Sequence, residues 1–154
     1  MERALQTPAV HEFTIDITPR IPTRSGVTLG ATIARPTTKE PVPALVTYHP
    51  YRGAWDGSVG YEARYFAERG YAFIYLHARG SGNSAGVSVD EYTVEETADG
   101  YDAIEWLAMQ SWCSGAIGML GASYSGFTCL QVAALAPPSL KAIAPAYFTD
   151  RRYT

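Results

Sequence analysis

A short run of small residues surrounds one serine in the second half of the sequence. It reads Gly121-Ala122-Ser123-Tyr124-Ser125-Gly126 and lies between an apolar stretch and a helical pattern. A serine hydroxyl at a sharp strand-to-helix turn stands clear of the sheet, where a base and a substrate can reach it. The backbone N–H of Tyr124 could then donate to a developing oxyanion at the helix N-terminus. A tight turn with a helix-capping serine fits equally well, because Ser125 occupies the place of the usual second glycine.

A tyrosine follows another apolar run and is expected near the same edge of the sheet. The segment His49-Pro50-Tyr51-Arg52 comes directly after that run. Open α/β sheets bind their ligands at the carboxyl ends of their strands, so the Tyr51 hydroxyl is a candidate second oxyanion donor. The alternative for Tyr51 is a partly buried aromatic ring with a solvated tip.

A glycine-rich loop over residues 79–86 suggests a different class of protein. Its spacing resembles a loop that cradles phosphate, as in nucleotide-binding domains. A dinucleotide loop should open directly into a helix, whereas Val87 to Val94 intervene here before any helical pattern. No lysine stands where a phosphate-binding loop of the Walker type needs one. We therefore expect a structural or substrate-lining loop.

The hydrophobic pattern predicts the elements that position these residues. Alternation over residues 12–18 and 27–33 predicts two half-buried strands, with a turn at Ser25-Gly26. Continuous apolar runs predict buried strands, and helical spacing predicts the helices between them. These strands cover residues 44–48, 71–76, 116–120 and 140–144, and these helices cover residues 61–69, 97–110 and 124–135. Strands that alternate with helices predict an α/β fold with a mainly parallel sheet and an N-terminal antiparallel hairpin.

Composition excludes several classes of partner. The 154 residues carry a formal net charge of −3 and no basic stripe, so we expect no nucleic-acid or membrane partner. The apolar runs are too short to span a bilayer and the N-terminus has no signal-peptide core, which predicts a soluble, cytoplasmic protein. Cys113 and Cys129 are too few for a disulfide framework and lack metal-ligand spacing.

Taken together, the motifs over about residues 11–154 resemble those of the CocE/NonD hydrolases. This family includes cocaine-esterase-like enzymes, X-Pro dipeptidyl-peptidase-type catalytic domains and α-amino-acid ester hydrolases. The motifs in the family's order are Pro50-Tyr51-Arg52, Arg79-Gly80-Ser81-Gly82-Asn83-Ser84, Asp90-Glu91-Tyr92, Asp99-Gly100-Tyr101-Asp102, Glu105-Trp106-Leu107, Trp112-Cys113, Gly118-Met119, residues 121–127 and residues 140–145. One departure is His77, where family members usually carry an aspartate.

The resemblance implies an α/β-hydrolase fold and a serine hydrolase without metal or organic cofactor. By resemblance, Ser123 is the nucleophile, and the Tyr124 N–H and Tyr51 hydroxyl form the oxyanion hole. The substrate would be a small-molecule ester or amide, or a peptide. The shifted glycine of the hexapeptide is then no objection, because the family's elbow has the form Gly-x-Ser-Tyr/Trp-x-Gly.

Such a serine needs a histidine base and an acid, which follow it along the chain in this fold. The three histidines, His11, His49 and His77, all precede Ser123. Asp150 follows it, but is expected to be an ordinary surface carboxylate. We therefore expect residues 1–154 to be the incomplete N-terminal part of one domain, nearly inactive alone, whose last strand leaves an edge for the missing half or for self-association. The alternatives are half of a split hydrolase and a non-catalytic α/β binding module.

Overall fold

The computed structural model describes residues 8–51 and 60–149. Seven strands and three helices occur in this part of the chain. The strands are β1 (Phe13–Asp16), β2 (Arg20–Pro22), β3 (Thr28–Pro36), β4 (Val42–His49), β5 (Ala72–His77), β6 (Cys113–Ala122) and β7 (Leu140–Ala146), and the helices are α1 (Tyr61–Ala67), α2 (Val94–Ala108) and α3 (Tyr124–Ala134). None of the helices in these two ranges is both long enough and apolar enough to cross a membrane.

The strands form one sheet in the order β1-β3-β5-β4-β6-β7, with β2 also paired to β3. β5, β4, β6 and β7 pair in parallel, whereas β3 pairs antiparallel with β1, β2 and β5. β3 therefore runs against the other six strands described. The predicted mainly parallel α/β sheet with an antiparallel N-terminal start is confirmed.

The antiparallel start contains a strand that the pattern did not predict. β1 pairs with the second half of β3, and β2 pairs with the first half, with a shift of one residue in register between them. The turn at Ser25-Gly26 therefore joins β2 to β3 and does not follow β1 directly. Gly26 adopts φ 81° there, a value that glycine reaches without steric cost.

Two predictions of burial were wrong. β3 was expected to be half-buried, but residues 29–34 are all buried, because Gly30 packs against Asn83 of the glycine-rich loop and Ala34 packs with α1 residues. The strand over residues 140–144 was expected to be buried, but β7 exposes Lys141, Ala142 and Ala144. β7 is the last strand of the sheet, so its outer side has no neighbour among the described strands.

The helices cover both faces of the sheet. α2 and α3 contribute Ile104, Leu107 and Val132 to the larger apolar cluster. α1 contributes Ala63 and Ala67 to a smaller cluster on Phe73. The carboxyl ends of β4, β5, β6 and β7 therefore meet at one edge between these layers, and the candidate residues follow them.

Candidate active site

Ser123 lies at the bend between β6 and α3 and its side chain is exposed. Its backbone has φ 58° and ψ −119°, a conformation that costs a non-glycine residue about 1–3 kcal/mol. The Ser123 N–H donates to Ala146 O at 3.0 Å, which ties the bend to β7. The Ser123 side chain makes no capping hydrogen bond. The helix-capping explanation of this serine is therefore wrong, and its hydroxyl is presented at the edge of the sheet.

The neighbouring small residues are required by close contacts. A Cβ at Gly121 would overlap the side chain of Ser125, and a Cβ at Gly126 would overlap Ala146 O. Ser125 is itself buried, and its hydroxyl donates to Ala122 O at 3.0 Å. Ser125 thus fills the space over Gly121, which explains how the bend forms with the second glycine shifted by one position.

Tyr124 begins α3, and its side chain is 6% exposed. Its backbone N–H is among the first of the helix, which have no acceptor within the helix itself. The ring stacks on Tyr92 with centroids 4.2 Å apart, and the hydroxyl donates to Glu96 Oε2 at 2.9 Å. Burial and this carboxylate raise the pKa of the Tyr124 phenol above its usual range. Tyr124 is therefore a neutral, anchored residue directly after the exposed serine.

Tyr51 follows β4 at the same edge, and half of it is exposed. Its ring makes an edge contact with the Tyr124 ring, with centroids 6.0 Å apart. The Tyr51 N–H donates to His49 Nδ1 at 3.2 Å, and the two rings lie 5.1 Å apart. The structure thus brings Tyr51 next to the residue that follows Ser123.

The two histidines at this edge have structural partners. His77, at the end of β5, is 1% exposed and its Nδ1 lies 2.7 Å from Asn83 Oδ1. His49, at the end of β4, uses Nδ1 to accept from Tyr51. Burial, with a smaller effect of His77, lowers the pKa of His49 to about 4, and burial also lowers the pKa of His77. Both imidazoles are therefore neutral at pH 7. The third histidine, His11, lies near Gly70 after α1.

The glycine-rich loop folds against the sheet and does not open toward a ligand. The N–H groups of Gly80, Ser84 and Ala85 donate to Ala85 O, Ser81 O and Thr28 O. No helix begins between this loop and Val94, so the loop lacks the helix N-terminus of a dinucleotide site. These hydrogen bonds use the donors that a phosphate would need. The expected structural role of the loop agrees with this arrangement.

Sequence reasoning missed one residue of this site, Glu96. The sequence pattern predicts a helix over residues 97–110, which leaves Glu96 outside it. The helix begins at Val94, because Thr93 Oγ1 caps it by accepting from the Glu96 N–H at 3.1 Å. The pattern Thr-x-x-Glu is a known start signal, and it would have placed Glu96 inside the first turn.

Other features of the described residues lie away from this edge. A cleft of about 310 Å³ lies at the amino end of β4 and is lined by Arg35, Lys39 and Trp112. The two cysteines are buried and unpaired. Among the residues that the structure describes, no group of three or more histidine, cysteine or acidic side chains could hold a metal ion. Arg52 and Asp150 lie outside the described residues.

A mixed sheet with helices on both faces, and a serine at the bend after one of its inner strands, define the class of the α/β hydrolases. The chain belongs to the X-Pro dipeptidyl-peptidase (S15) family, whose sequence signature matches residues 25–154.

Individual proteins agree with this assignment. The chain is 37% identical over 129 residues to a cocaine esterase of Rhodococcus sp., covering 81% of this chain and 22% of the esterase. It is 28% identical over 127 residues to a Xaa-Pro dipeptidyl-peptidase of Lactobacillus delbrueckii subsp. lactis, covering 72% of this chain and 16% of the peptidase. A solved CocE/NonD family hydrolase from Staphylococcus aureus superposes with a TM-score of 0.76 at 28% identity, covering 86% of this chain and 27% of that chain. The predicted resemblance to the CocE/NonD hydrolases is confirmed, and the chain spans between 16% and 22% of these two curated relatives.

Proposed function

We propose that this segment is the nucleophile-bearing part of one α/β-hydrolase domain that cleaves an ester or amide through an acyl-enzyme. Ser123 attacks the carbonyl carbon, and the Tyr124 N–H and the Tyr51 hydroxyl hold the oxyanion. The observation that carries this proposal is the exposed Ser123 at φ 58° on the bend between β6 and α3. A strained backbone at an exposed nucleophilic side chain is typical of a functional site.

The chemistry follows from the groups at this edge. The Ser123 Oγ forms a bond to the carbonyl carbon while its proton passes to a base, and the carbonyl oxygen becomes an oxyanion. Donors that point at this oxygen stabilise the charge as it develops. The intermediate then expels the alcohol or amine, which takes the proton from the base. Water then attacks the acyl carbonyl carbon while the base takes its proton, and the second intermediate expels the Ser123 Oγ, which takes that proton back as the carboxylic acid is released.

The base is proposed to come from polypeptide outside the printed sequence. No histidine follows Ser123 in the printed sequence, and burial lowers the pKa of His49 and of His77, which makes both weak bases. Their Nδ1 atoms are already engaged by Tyr51 N and Asn83 Oδ1. Loss of the histidine in a serine triad lowers turnover by on the order of a millionfold. The 154 residues alone are therefore proposed to be nearly inactive. The acid and base would be supplied by a second segment, and the side of β7 that has no neighbour among the described strands is the proposed place for that segment or for a second copy.

The substrate class is proposed from the relatives. One is a cocaine esterase and another a Xaa-Pro dipeptidyl-peptidase, so an ester and an X-Pro amide are the two substrates to compare. A p-nitrophenyl ester and an X-Pro p-nitroanilide separate them by colour release in one assay. Hydrolysis of the X-Pro anilide would assign a peptidase, because the activated ester is intrinsically the more reactive of the two, and turnover of the ester without any of the anilide would assign an esterase.

A fluorophosphonate probe tests the nucleophile. The protein is expressed as a longer polypeptide in which this segment continues into the rest of its reading frame, and the labelled residue is identified by mass spectrometry. We expect labelling at Ser123 that disappears in Ser123→Ala and remains in Ser125→Ala, a serine of the same bend that is buried. The absence of labelling in the folded wild type would contradict the proposal.

A non-catalytic α/β binding module is the second candidate, and it is favoured by the hydrogen bonds that already engage both histidines at this edge, His49 with Tyr51 N and His77 with Asn83 Oδ1. In such a module the bend would be retained as architecture only. Tight ligand binding by a folded protein that the probe does not label at all would support it. Labelling restricted to Ser123 would exclude it.

A further inference from the structure

Glu96 is a buried carboxylate that the proposed reaction does not use directly. It lies in the first turn of α2 and is 2% exposed. Its Oε2 accepts the hydrogen bond from the Tyr124 hydroxyl at 2.9 Å. Its Oε1 is buried and accepts no hydrogen bond from the described residues. Burial of this carboxylate costs free energy, because both oxygens lose their hydrogen bonds to water and only Oε2 gains one within the part of the chain that the structure describes.

The sequence around Glu96 predicts a different hydrogen bond for its carboxylate, one of lower free energy within its own helix. In a Thr-x-x-Glu capping box, the glutamate normally accepts from the N–H of the cap residue, which here is Thr93. Only the other half of the box is formed, with the Glu96 N–H donating to Thr93 Oγ1. The carboxylate instead points to Tyr124, which is 28 residues further along the chain. The acid is therefore held by a long-range contact with the bend and not by its own helix.

Further contacts fix Glu96 against the strand and the helix next to Ser123. The Tyr48 hydroxyl, from β4, donates to Glu96 O at 3.0 Å. Thr128 Oγ1, one turn into α3, donates to Tyr48 O at 2.8 Å. Gly100 allows α2 to come this close, because a Cβ there would lie 2.5 Å from Val132 Cγ2. Glu96 is thus in contact with β4, which Tyr51 follows, and is linked through Tyr48 to α3, which Tyr124 begins.

We propose that Glu96 is a positioning residue, which holds the Tyr124 side chain and thereby fixes the backbone N–H that receives the oxyanion. This inference rests on the proposed function of Ser123. The hydrogen bond restrains the rotation of Tyr124 at the first position of α3. The stacked ring of Tyr92 restrains the other side of the Tyr124 ring. Small displacements of a donor weaken transition-state binding more than substrate binding.

The test uses four variants of the same longer polypeptide. They are Glu96→Ala, Tyr124→Phe, the double variant, and Glu96→Gln, which keeps an acceptor for the Tyr124 hydroxyl. We expect Glu96→Ala and Tyr124→Phe each to lower kcat, per serine titrated by the fluorophosphonate, by about tenfold to a hundredfold with KM little changed. The double variant should be no worse than either single variant, because both remove the same hydrogen bond. Glu96→Gln should restore most of kcat.

Glu105→Ala is the matched control for Glu96→Ala. Glu105 lies on the same helix and its carboxylate accepts from Ser139 N at 2.9 Å and Ser139 Oγ at 3.0 Å, away from the bend. The Glu105→Ala variant loses the hydrogen bonds of a carboxylate on the same helix, and its kcat per titrated serine should equal that of the wild type. If Glu96→Ala lowers only the melting temperature and the fraction of titratable serine, its role is structural and this inference is wrong. If the wild type itself is neither labelled nor active, the proposed function fails, and this inference with it.

Discussion

The guanidinium of Arg79 and the carboxylate of Asp99 form an ion pair between the glycine-rich loop and α2. Arg79 Nε and Nη2 each lie 2.7 Å from Asp99 Oδ2, and the Asp99 side chain is fully buried. The Ser25 hydroxyl lies 3.4 Å from Asp99 Oδ1, so the turn before β3 joins the same cluster. This pair therefore fixes the loop that covers one face of β3 and follows the carboxyl end of β5.

Replacement of Arg79 should lower the free energy of unfolding of the protein. Arg79→Ala leaves the Asp99 carboxylate buried without its partner, and we expect it to lower the free energy of unfolding by about 3–5 kcal/mol. Arg24→Ala is the control, because Arg24 pairs with Asp102 with its own side chain 60% exposed. That variant should lose clearly less stability, because solvent screens an exposed ion pair. Urea denaturation followed by circular dichroism measures both, and equal losses would contradict the prediction.

Replacement of Ser123 by glycine should stabilise the fold. Glycine adopts φ 58° without the strain that a side chain brings, and the relief exceeds the extra entropy of the unfolded chain. We expect the free energy of unfolding of Ser123→Gly to exceed that of Ser123→Ala by about 1 kcal/mol. Ala133→Gly, within α3, should shift stability in the opposite direction by about 1 kcal/mol. Thermal denaturation of the three variants measures these differences. A Ser123→Gly variant less stable than Ser123→Ala would argue against strain at the bend.

The central part of this fold could be predicted from the sequence because its strands are covered on both faces. The runs at 44–48 and 116–120 lie within β4 and β6, and the run at 71–76 covers all of β5 except its last residue. β2 could not be predicted in this way, since Arg20–Pro22 contains one buried residue and is defined by its pairing with β3. The bend at Ser123 could be predicted because its small residues lie between an apolar run and a helical pattern, where they allow the backbone to turn sharply.

The surroundings of the acids on α2 could not be predicted from local pattern. Glu96 and Asp99 look like exposed acids at the start of a helix, yet both are buried. Their burial depends on Tyr124 and Arg79, which come from other elements of the fold. The strand at 140–144 shows the same limit, because its exposure depends on its place at the end of the sheet. The catalytic roles of Ser123, Tyr124 and Tyr51 stay predictions.

A methyl group at Gly126 should destabilise the bend despite its helical position. Alanine favours a helix over glycine by about 1 kcal/mol, which alone predicts a more stable protein. The added Cβ would overlap Ala146 O, a backbone atom that cannot move without shifting β7. We expect the contact to dominate, so that Gly126→Ala lowers the free energy of unfolding by about 1–3 kcal/mol. Chemical denaturation gives the sign directly, and a stabilised variant would show that α3 and β7 can separate.

Stability should fall as the pH is lowered below about 6.5 because His49 resists protonation in the folded state. Burial lowers the pKa of His49 from 6.5 to about 4, so the unfolded chain binds its proton first as the pH falls. The contribution is complete above the unfolded pKa and declines down to the folded one. We expect His49 to account for a loss of about 2 kcal/mol between pH 7.5 and 5. Urea denaturation at the two pH values should show this loss in the wild type and a smaller one in His49→Gln, whereas equal losses would contradict the assignment to His49.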